Sequence, residues 1–312
     1  MSKAPFPITP QLLAIAVAYR NARMIADEVL PRVPVSLQSF KYMSYPLGEG
    51  FTVPETRVGR KSRPGTIELS GTEITDSTQD YGLDDAIPFA DIDNAAGQPG
   101  VPDPEMRATQ QLTNLIELDR EVRTANLVFN ANNYAAANKV TLAGTDQWSD
   151  FANSDPVDDI LTGLDACIMR PNIGVFGRAT FTKLSTHPKI CKAVFGNNTD
   201  AGIVTRQQIA ALLELDDVLV GEGRVNTAKK GQAVSLSRVW GKHAAFLYRD
   251  KNADPLGSVQ FGFTAQWGSR IAGSIEDKDI GIRGGKRVRV GESVKEVITA
   301  GDLGYFIQNA VS

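Results

Sequence analysis

The stretch DPEMRATQQLTNLIELDREVRTANLVFNA, residues 103–131, decides how the rest of the chain is read. Asp103 stands where an N-cap belongs, Pro104 has the fixed φ that suits a first helical position, and Glu105 sets negative charge against the helix dipole. Leu115, Leu118, Val122, Ala125 and Phe129 then recur at spacings of three and four, which predicts a single apolar stripe. Asp119 and Arg123 form an i,i+4 pair on a polar face. A helix over 104–131 is about 28 residues and ~42 Å long at 1.5 Å per residue. That is long for a globular domain. With about three repeats and no sustained heptad, the stripe is expected to pack on a sheet rather than in a coiled coil.

Upstream the chain changes character. Gln11–Leu30 reads as one amphipathic helix, stopped by Pro31 and Pro34, because proline lacks the amide donor and disfavours helix in the residue before it. From Ser39 to Asp85 long aliphatics are few, Gly, Thr and Pro are frequent, and two stretches alternate as strands do, Phe40–Val58 and Thr66–Tyr81. Between them lies Gly59-Arg60-Lys61-Ser62-Arg63-Pro64-Gly65, a turn-forming tip with three positive charges. A long hairpin with a broad loop is predicted. So long a ribbon with so few aliphatics is marginal alone in water. It needs another surface to lie on, and a neighbouring subunit is the expected one. A linker, Gly97-Gln98-Pro99-Gly100-Val101-Pro102, separates this ribbon from the long helix.

Downstream, Asp155 and Pro156 repeat the helix-start signal, with Ile160, Leu161, Leu164 and Ile168 on one side and Arg170-Pro171 as the stop. Ile173–Phe176 reads as a buried strand, Ala179–Leu184 as a helix broken near His187-Pro188, and Thr205 with Gln208 as a capping box. Val218–Val220 and Ala244–Tyr248 are further strands, so Asp155–Arg249 reads as a mixed α/β unit. The tail returns to sheet: Val259–Ile271, interrupted by Gly262 and Gly268, then Lys286–Val290, Ser293–Thr299 and Tyr305–Val311. These late strands are the expected cover for the stripe of the long helix.

Composition narrows function by exclusion. The 312 residues are 42 % apolar and 22 % charged, enough for a sizeable core in one large or two ordinary domains. A net charge of −3 argues against a dedicated nucleic-acid binder. Cys167 and Cys191 cannot make a disulfide framework and read as buried thiols of a reduced cytosolic chain. Met1-Ser2-Lys3-Ala4-Pro5 does not begin a secretion signal, and the longest apolar-rich stretch, Leu12–Tyr19, is far short of the ~20 residues that span a bilayer. A soluble protein made in the cytoplasm is expected.

Catalytic signals are absent. His187 and His243 have no nucleophile elbow or partnered cysteine, and two isolated histidines do not hold a metal. Gly221-Glu222-Gly223 lacks the third glycine of a dinucleotide loop, and Gly281–Lys286 has the wrong spacing for a phosphate loop. Asp84-Asp85, Asp158-Asp159 and Asp216-Asp217 are sequence neighbours, which do not converge on one substrate and read as solvated faces or helix starts. The chain is read as no enzyme, with no cofactor. Arg60, Lys61 and Arg63 fit a nucleic-acid backbone or an acidic face of a neighbouring subunit; without interleaved aromatics the second is at least as good an account. They are the candidate inter-subunit contacts.

Five segments, in order, carry a family resemblance. They are Ala26-Asp27-Glu28-Val29-Leu30-Pro31-Arg32-Val33-Pro34-Val35, Gln79-Asp80-Tyr81-Gly82-Leu83, the Asp103–Ala131 helix, Pro171-Asn172-Ile173-Gly174-Val175-Phe176-Gly177 with His187-Pro188, and the ending Gly301-Asp302-Leu303-Gly304-Tyr305-Phe306-Ile307-Gln308-Asn309-Ala310-Val311. Their succession resembles that of tailed-bacteriophage major capsid proteins with the Hong Kong 97 fold. The resemblance implies an α+β fold: an N-terminal arm (1–38), an extended loop (39–90), a peripheral domain (91–155 and 256–312) with a spine helix (104–131), and an axial α/β domain (156–255). It implies pentamers and hexamers of one polypeptide, closing an icosahedral shell that loosely encloses double-stranded DNA, with a portal protein as partner and the virion as location. No long charged helical segment precedes the arm, so a separate scaffolding protein, or none, is implied; a decoration protein is left open. Lys61 lies in the loop, but no motif carries over the covalent cross-link some relatives make, and none is expected. Two rivals stand beside this reading: an encapsulin-like compartment shell and an α/β enzyme.

Overall fold

A computed structural model describes residues 6–18, 24–44, 48, 51–67, 72–196, 201–229, 231–250 and 259–312. In chain order come α1 (Pro10–Ala18), α2 (Ala26–Val29), β1 (Arg32–Val35), β2 (Ser39–Ser44), β3 (Thr72–Ser77), β4 (Gln79–Pro88), α3 (Phe89–Ala96) and the long helix α4 (Pro104–Val128). Then follow β5 (Lys139–Thr141), α5 (Pro156–Ala166), β6 (Ile173–Gly177), α6 (Arg178–Ser185), α7 (Pro188–Phe195), α8 (Arg206–Leu212) and β7 (Asp217–Gly221). The remaining strands are β8 (Arg224–Asn226), β9 (Leu236–Arg238), β10 (Ala244–Leu247), β11 (Gly262–Asp277), β12 (Gly285–Ile298) and β13 (Gly304–Gln308).

The tail strands build the first sheet, in the order β1-β11-β12-β4. β11 and β12 form a long antiparallel hairpin whose register breaks between Trp267 and Ile271, where Gly268 takes a φ of +67° that glycine adopts without strain. β1 joins one edge in parallel, Arg32 opposite Thr264, and β4 the other in antiparallel, Leu83 opposite Val290. The two tail segments read separately at Lys286–Val290 and Ser293–Thr299 are thus one strand. The second sheet, β5-β13-β10-β6-β7, is sandwiched on both faces. Alternate residues supply the two cores, Phe176, Phe246 and Ile307 on one side against Ile173, Val175 and Leu247 on the other. That is why β6 and β10 read as unbroken apolar runs.

α4 serves both sheets. Its first half, through Ala108, Leu112 and Ile116, packs with α1 on β4, β11 and β12; its last turn, through Ala125 and Val128, joins the core beneath the second sheet. Asp103 caps it as expected, accepting from the Glu105 amide at 2.9 Å. The helix ends at Val128, three residues before the expected stop. The apolar stripe was misplaced: Leu115 is half exposed, Leu118 and Val122 are partly buried, and of that set only Ala125 is buried. The buried face runs instead through Thr109, Leu112, Thr113, Ile116, Arg120, Glu121, Thr124, Ala125 and Val128. Five of those nine residues are polar, so hydropathy put the stripe on the wrong flank.

Other expectations are adjusted in similar ways. One helix over Gln11–Leu30 does not form: α1 and α2 are separate, with Met24 and Ile25 outside any helix, and residues 19–23 lie outside the described residues. The amides of Ile25 and Ala26 go to the Glu121 carboxylate instead of to helix carbonyls. In the ribbon, β2 pairs with β3 from Ser39 opposite Ser77 to Ser44 opposite Thr72. Residues 51–58 and 66–67 are not strand, 45–47, 49–50 and 68–71 lie outside the described residues, and Thr78 separates β3 from β4. Helices α3 and α7 had no counterpart in the reading; Pro188 at the first position of α7, with His187 as its cap, was taken only as a break. Leu161 and Ile168 are exposed although Ile160 and Leu164 are buried. The capping box of α8 forms with both of its bonds.

Gly221 shows how tightly the parts fit. A Cβ there would collide with the fully buried Trp240 indole, so the Gly221-Glu222-Gly223 turn is small to admit that ring. Gly221→Ala is expected to destabilise the subunit by about 1–3 kcal/mol through overpacking. Urea denaturation followed by Trp fluorescence checks this, and an unchanged midpoint would show that the ring has room to move.

Candidate functional site

The structural centre of the molecule is an ionic cluster at the middle of α4. Arg120 and Glu121, adjacent on the helix, are both buried. The Glu121 carboxylate accepts from the Ile25 amide at 3.0 Å, the Ala26 amide at 2.8 Å and the Trp240 indole N–H. It therefore satisfies the first amides of α2, which have no helical acceptor of their own. Burial raises the Glu121 pKa, and those three donors work against the rise.

Arg120 turns to the other side. It pairs with Asp27 and donates to the Leu30 carbonyl at 3.3 Å and the Thr264 hydroxyl at 3.0 Å. Burial lowers its pKa to about 10, opposed by Glu292 and Glu296, so it stays charged at neutral pH. Glu292 of β12, its side chain 1 % exposed, is held by Arg32 at 2.8 Å and Arg270 at 3.0 Å. Arg32 also bonds Asp27 at 2.7 Å, and Arg270 reaches Glu117 of α4 at 3.1 Å. Burial alone would raise the Glu292 carboxyl, but Arg32, Arg270 and Arg120 overcome it and hold it at about 2. Nearby, Arg123 pairs with Asp119 at 3.0 Å, as the spacing predicted, and with Glu296 at 2.6 Å, while its guanidinium lies over the Tyr81 ring at 3.7 Å. Buried charges are tolerable only when paired in this way. The cluster ties residues 25–32 to both the helix and the first sheet.

Sequence reading did not find this cluster. Its one available signal was the row Thr109, Thr113, Arg120, Glu121, Thr124 at helical spacing, a polar stripe of the same period as the apolar one.

The ribbon divides into an anchored base and an exposed outer part. Phe40 and Tyr42 of β2 meet Phe263 of β11 with ring centroids 6.5 and 6.2 Å apart, in one core with Val33, Ala265 and Val297. The base thus lies on its own chain, not on a neighbour. Beyond it, residues 51–67 are exposed throughout, including Phe51, Val53 (89 % exposed), Val58 and Ile67. Arg60 and Lys61 sit in a turn closed by the Ser62 amide donating to the Gly59 carbonyl at 2.9 Å, and Arg63 follows it. Among the described residues none of the three side chains has an ion-pair or hydrogen-bond partner. They form one charged tip and, among the described residues, are brought to no other functional group.

The histidines are structural. His187 accepts from the Lys189 amide at 3.2 Å and meets the Ser154 hydroxyl at 3.1 Å; His243 accepts from the Asn309 amide at 2.9 Å. Burial lowers both imidazoles below the ordinary histidine value. Cys167 and Cys191 are buried. Among the described residues no group of His, Cys, Asp and Glu could hold a metal ion, and no helix is long and apolar enough to cross a membrane.

Residues 104–246 match the family model described as phage major capsid protein E. Over all 312 residues, the whole of both chains, the sequence is 60 % identical to the major capsid protein of Pseudomonas phage JBD67. Among solved structures, a phage-related protein from Bordetella bronchiseptica RB50 superposes with a TM-score of 0.75 at 24 % identity, covering 97 % of each chain. The capsid of cyanophage P-SCSP1u gives a TM-score of 0.60 at 9 % identity, covering 99 % of this chain and 92 % of that one.

Glu292→Gln tests the ionic cluster. With the carboxyl at about 2 against an ordinary 4.5, the substitution is expected to cost about 3 kcal/mol at pH 7. A depressed carboxyl contributes fully above its unfolded value and loses that contribution as pH falls towards its folded one. The gap between wild type and variant, measured by urea denaturation, should therefore narrow from pH 6 to pH 3. A gap that holds or widens on acidification would contradict the assignment.

Proposed function

Because this chain belongs to the major capsid proteins of tailed phages and has their Hong Kong 97-type fold, we propose that it assembles into pentamers and hexamers closing an icosahedral head around double-stranded DNA. The compartment and enzyme alternatives are not favoured, given a 60 % identical phage capsid protein matched end to end. In this reading residues 1–38 are the N-terminal arm, 39–90 the extended loop, 91–155 and 256–312 the peripheral domain, and 156–255 the axial domain. Synthesis in the host cytoplasm, a portal protein, and a separate scaffolding or decoration protein belong to the same proposal.

One observation carries the mechanism: an exposed loop stands on a firmly buried base. Residues 51–67 combine exposed Phe51 and Val53 with the unpartnered cations Arg60, Lys61 and Arg63. A lone chain leaves that apolar surface in water, at a cost of about 25 cal/mol for each Å². Laid across an adjacent subunit, the loop buries it, and the charged tip fixes the register against acidic groups there. Each contact is modest. Repeated around a closed shell they act together, as multivalent contacts do.

Deleting residues 59–65 is therefore expected to leave the subunit folded, with near-wild-type circular dichroism, while size-exclusion chromatography and negative-stain micrographs lose closed shells. A variant that fails to fold would sink the idea that the tip serves neighbours, and one that still closes shells would remove the tip from assembly. Replacing Arg60, Lys61 and Arg63 together with Gln should weaken assembly mainly at low salt, where exposed charges are least screened.

A further inference from the structure

A second charged feature lies away from the loop. A cleft of about 640 Å³ opens between α4, the turn after β7 and the β8–β9 hairpin. Met24 and Leu118 line it on one side, and Arg178, Arg224, Arg238 and Glu222 on the other. Arg224 of β8 and Arg238 of β9 are direct partners in the antiparallel register, so both side chains leave the same face of the hairpin. Like charges directly opposite one another destabilise a ladder. Among the described residues the hairpin has three residue pairs and no third strand, the kind of element that is marginal alone. Among the described residues neither guanidinium has an ion-pair or hydrogen-bond partner.

The acid that lines the cleft does not relieve them. Glu222 is shared between Arg178 at 3.4 Å and Arg206 at 3.1 Å. Three guanidiniums and one carboxylate therefore line the cleft, in a chain whose net charge is −3. A surplus of two charges calls for a multiply charged oxyanion, or for successive singly charged ones, rather than a single carboxylate. Arginine forks match phosphate oxygens in pairs. Among the described residues no aromatic lines the cleft, which offers no platform there for a stacked base.

We propose that this cleft is a phosphate-binding site in which Arg224 and Arg238 grip one phosphate group and Arg178 completes the rim. The ligand is recognised by its phosphate alone, as free inorganic phosphate or as the backbone of a nucleic acid read without sequence preference. Binding removes the repulsion across the ladder, so the hairpin tightens when the site fills.

Hydrogen exchange of residues 224–238 in the whole 312-residue chain tests this, with inorganic phosphate and a short DNA duplex as separate probes and poly-glutamate as a control polyanion. Phosphate at ten times its apparent Kd is expected to slow exchange there about tenfold. Arg224→Gln with Arg238→Gln should abolish the slowing, while the rest of the exchange map shows that the variant is folded. Arg238→Glu, which sets an ion pair where the repulsion was, should protect the hairpin without phosphate and lose the response. Slowing by both probes, or by phosphate alone, supports the site and identifies free phosphate as sufficient. Slowing by duplex alone, weakening steeply with salt, supports it with the nucleic-acid backbone as the source. No slowing by either probe, slowing that survives the double substitution, or slowing by poly-glutamate alone overturns the proposal.

Discussion

Everything in this molecule depends on one carboxylate placed where hydropathy would put a leucine. Glu121, buried at the middle of α4, takes up the Ile25 and Ala26 amides and the Trp240 indole N–H. Removing it would leave three buried donors unsatisfied, each costing about 1–3 kcal/mol. The N-terminal segment, the long helix and the second sheet meet at that point. Arg120 beside it binds the same segment to β11, through Asp27, the Leu30 carbonyl and Thr264. Two adjacent helix residues thus set how the two halves of the fold sit against each other.

The geometry of α4 explains why polar residues are needed there. A helix long enough to reach both sheets must cross the seam between two apolar cores. One core holds Leu112 and Ile116, the other Ala125 and Val128. At the seam the backbone of residues 25–30 runs against the helix, carrying amides and carbonyls that no sheet pairs. Charged side chains satisfy those groups with a directionality that apolar packing lacks, and fix a unique arrangement where grease would allow sliding. Their cost is met by pairing: Glu292 has two arginines within 3.0 Å. The same pairing gives the cluster its opposed titration behaviour, with Glu121 raised by burial and Glu292 held down by its arginines.

Local signals were legible in the sequence, and long-range polar ones were not. The Asp103-Pro104 and Asp155-Pro156 starts, the Thr205–Gln208 box, and the strands at 173–177, 217–221 and 244–247 all depend on residues close together in the chain. The buried face of α4 depends on partners about 95 to 175 residues away, Ile25 on one side and Glu296 on the other, which no local period encodes. The same blindness joined α1 and α2 into one expected helix, where the structure has two. For the exposed loop the reading found Arg60, Lys61 and Arg63 and the need for an outside surface, but placed the whole ribbon there. It did not see that Phe40 and Tyr42 would find Phe263, because that contact spans more than 200 residues.

Strand order bears on how the chain folds. β13 lies between β5 and β10 inside the second sheet, and β12 lies between β11 and β4 inside the first. Neither sheet closes until these late strands pair with earlier ones, and the pairing of Arg32 with Thr264 spans more than 200 residues. Such high contact order slows folding and prolongs exposure of unpaired edges. A chain that lacks β12 and β13 loses an interior strand from each sheet, so such a product cannot present a finished surface to a growing particle.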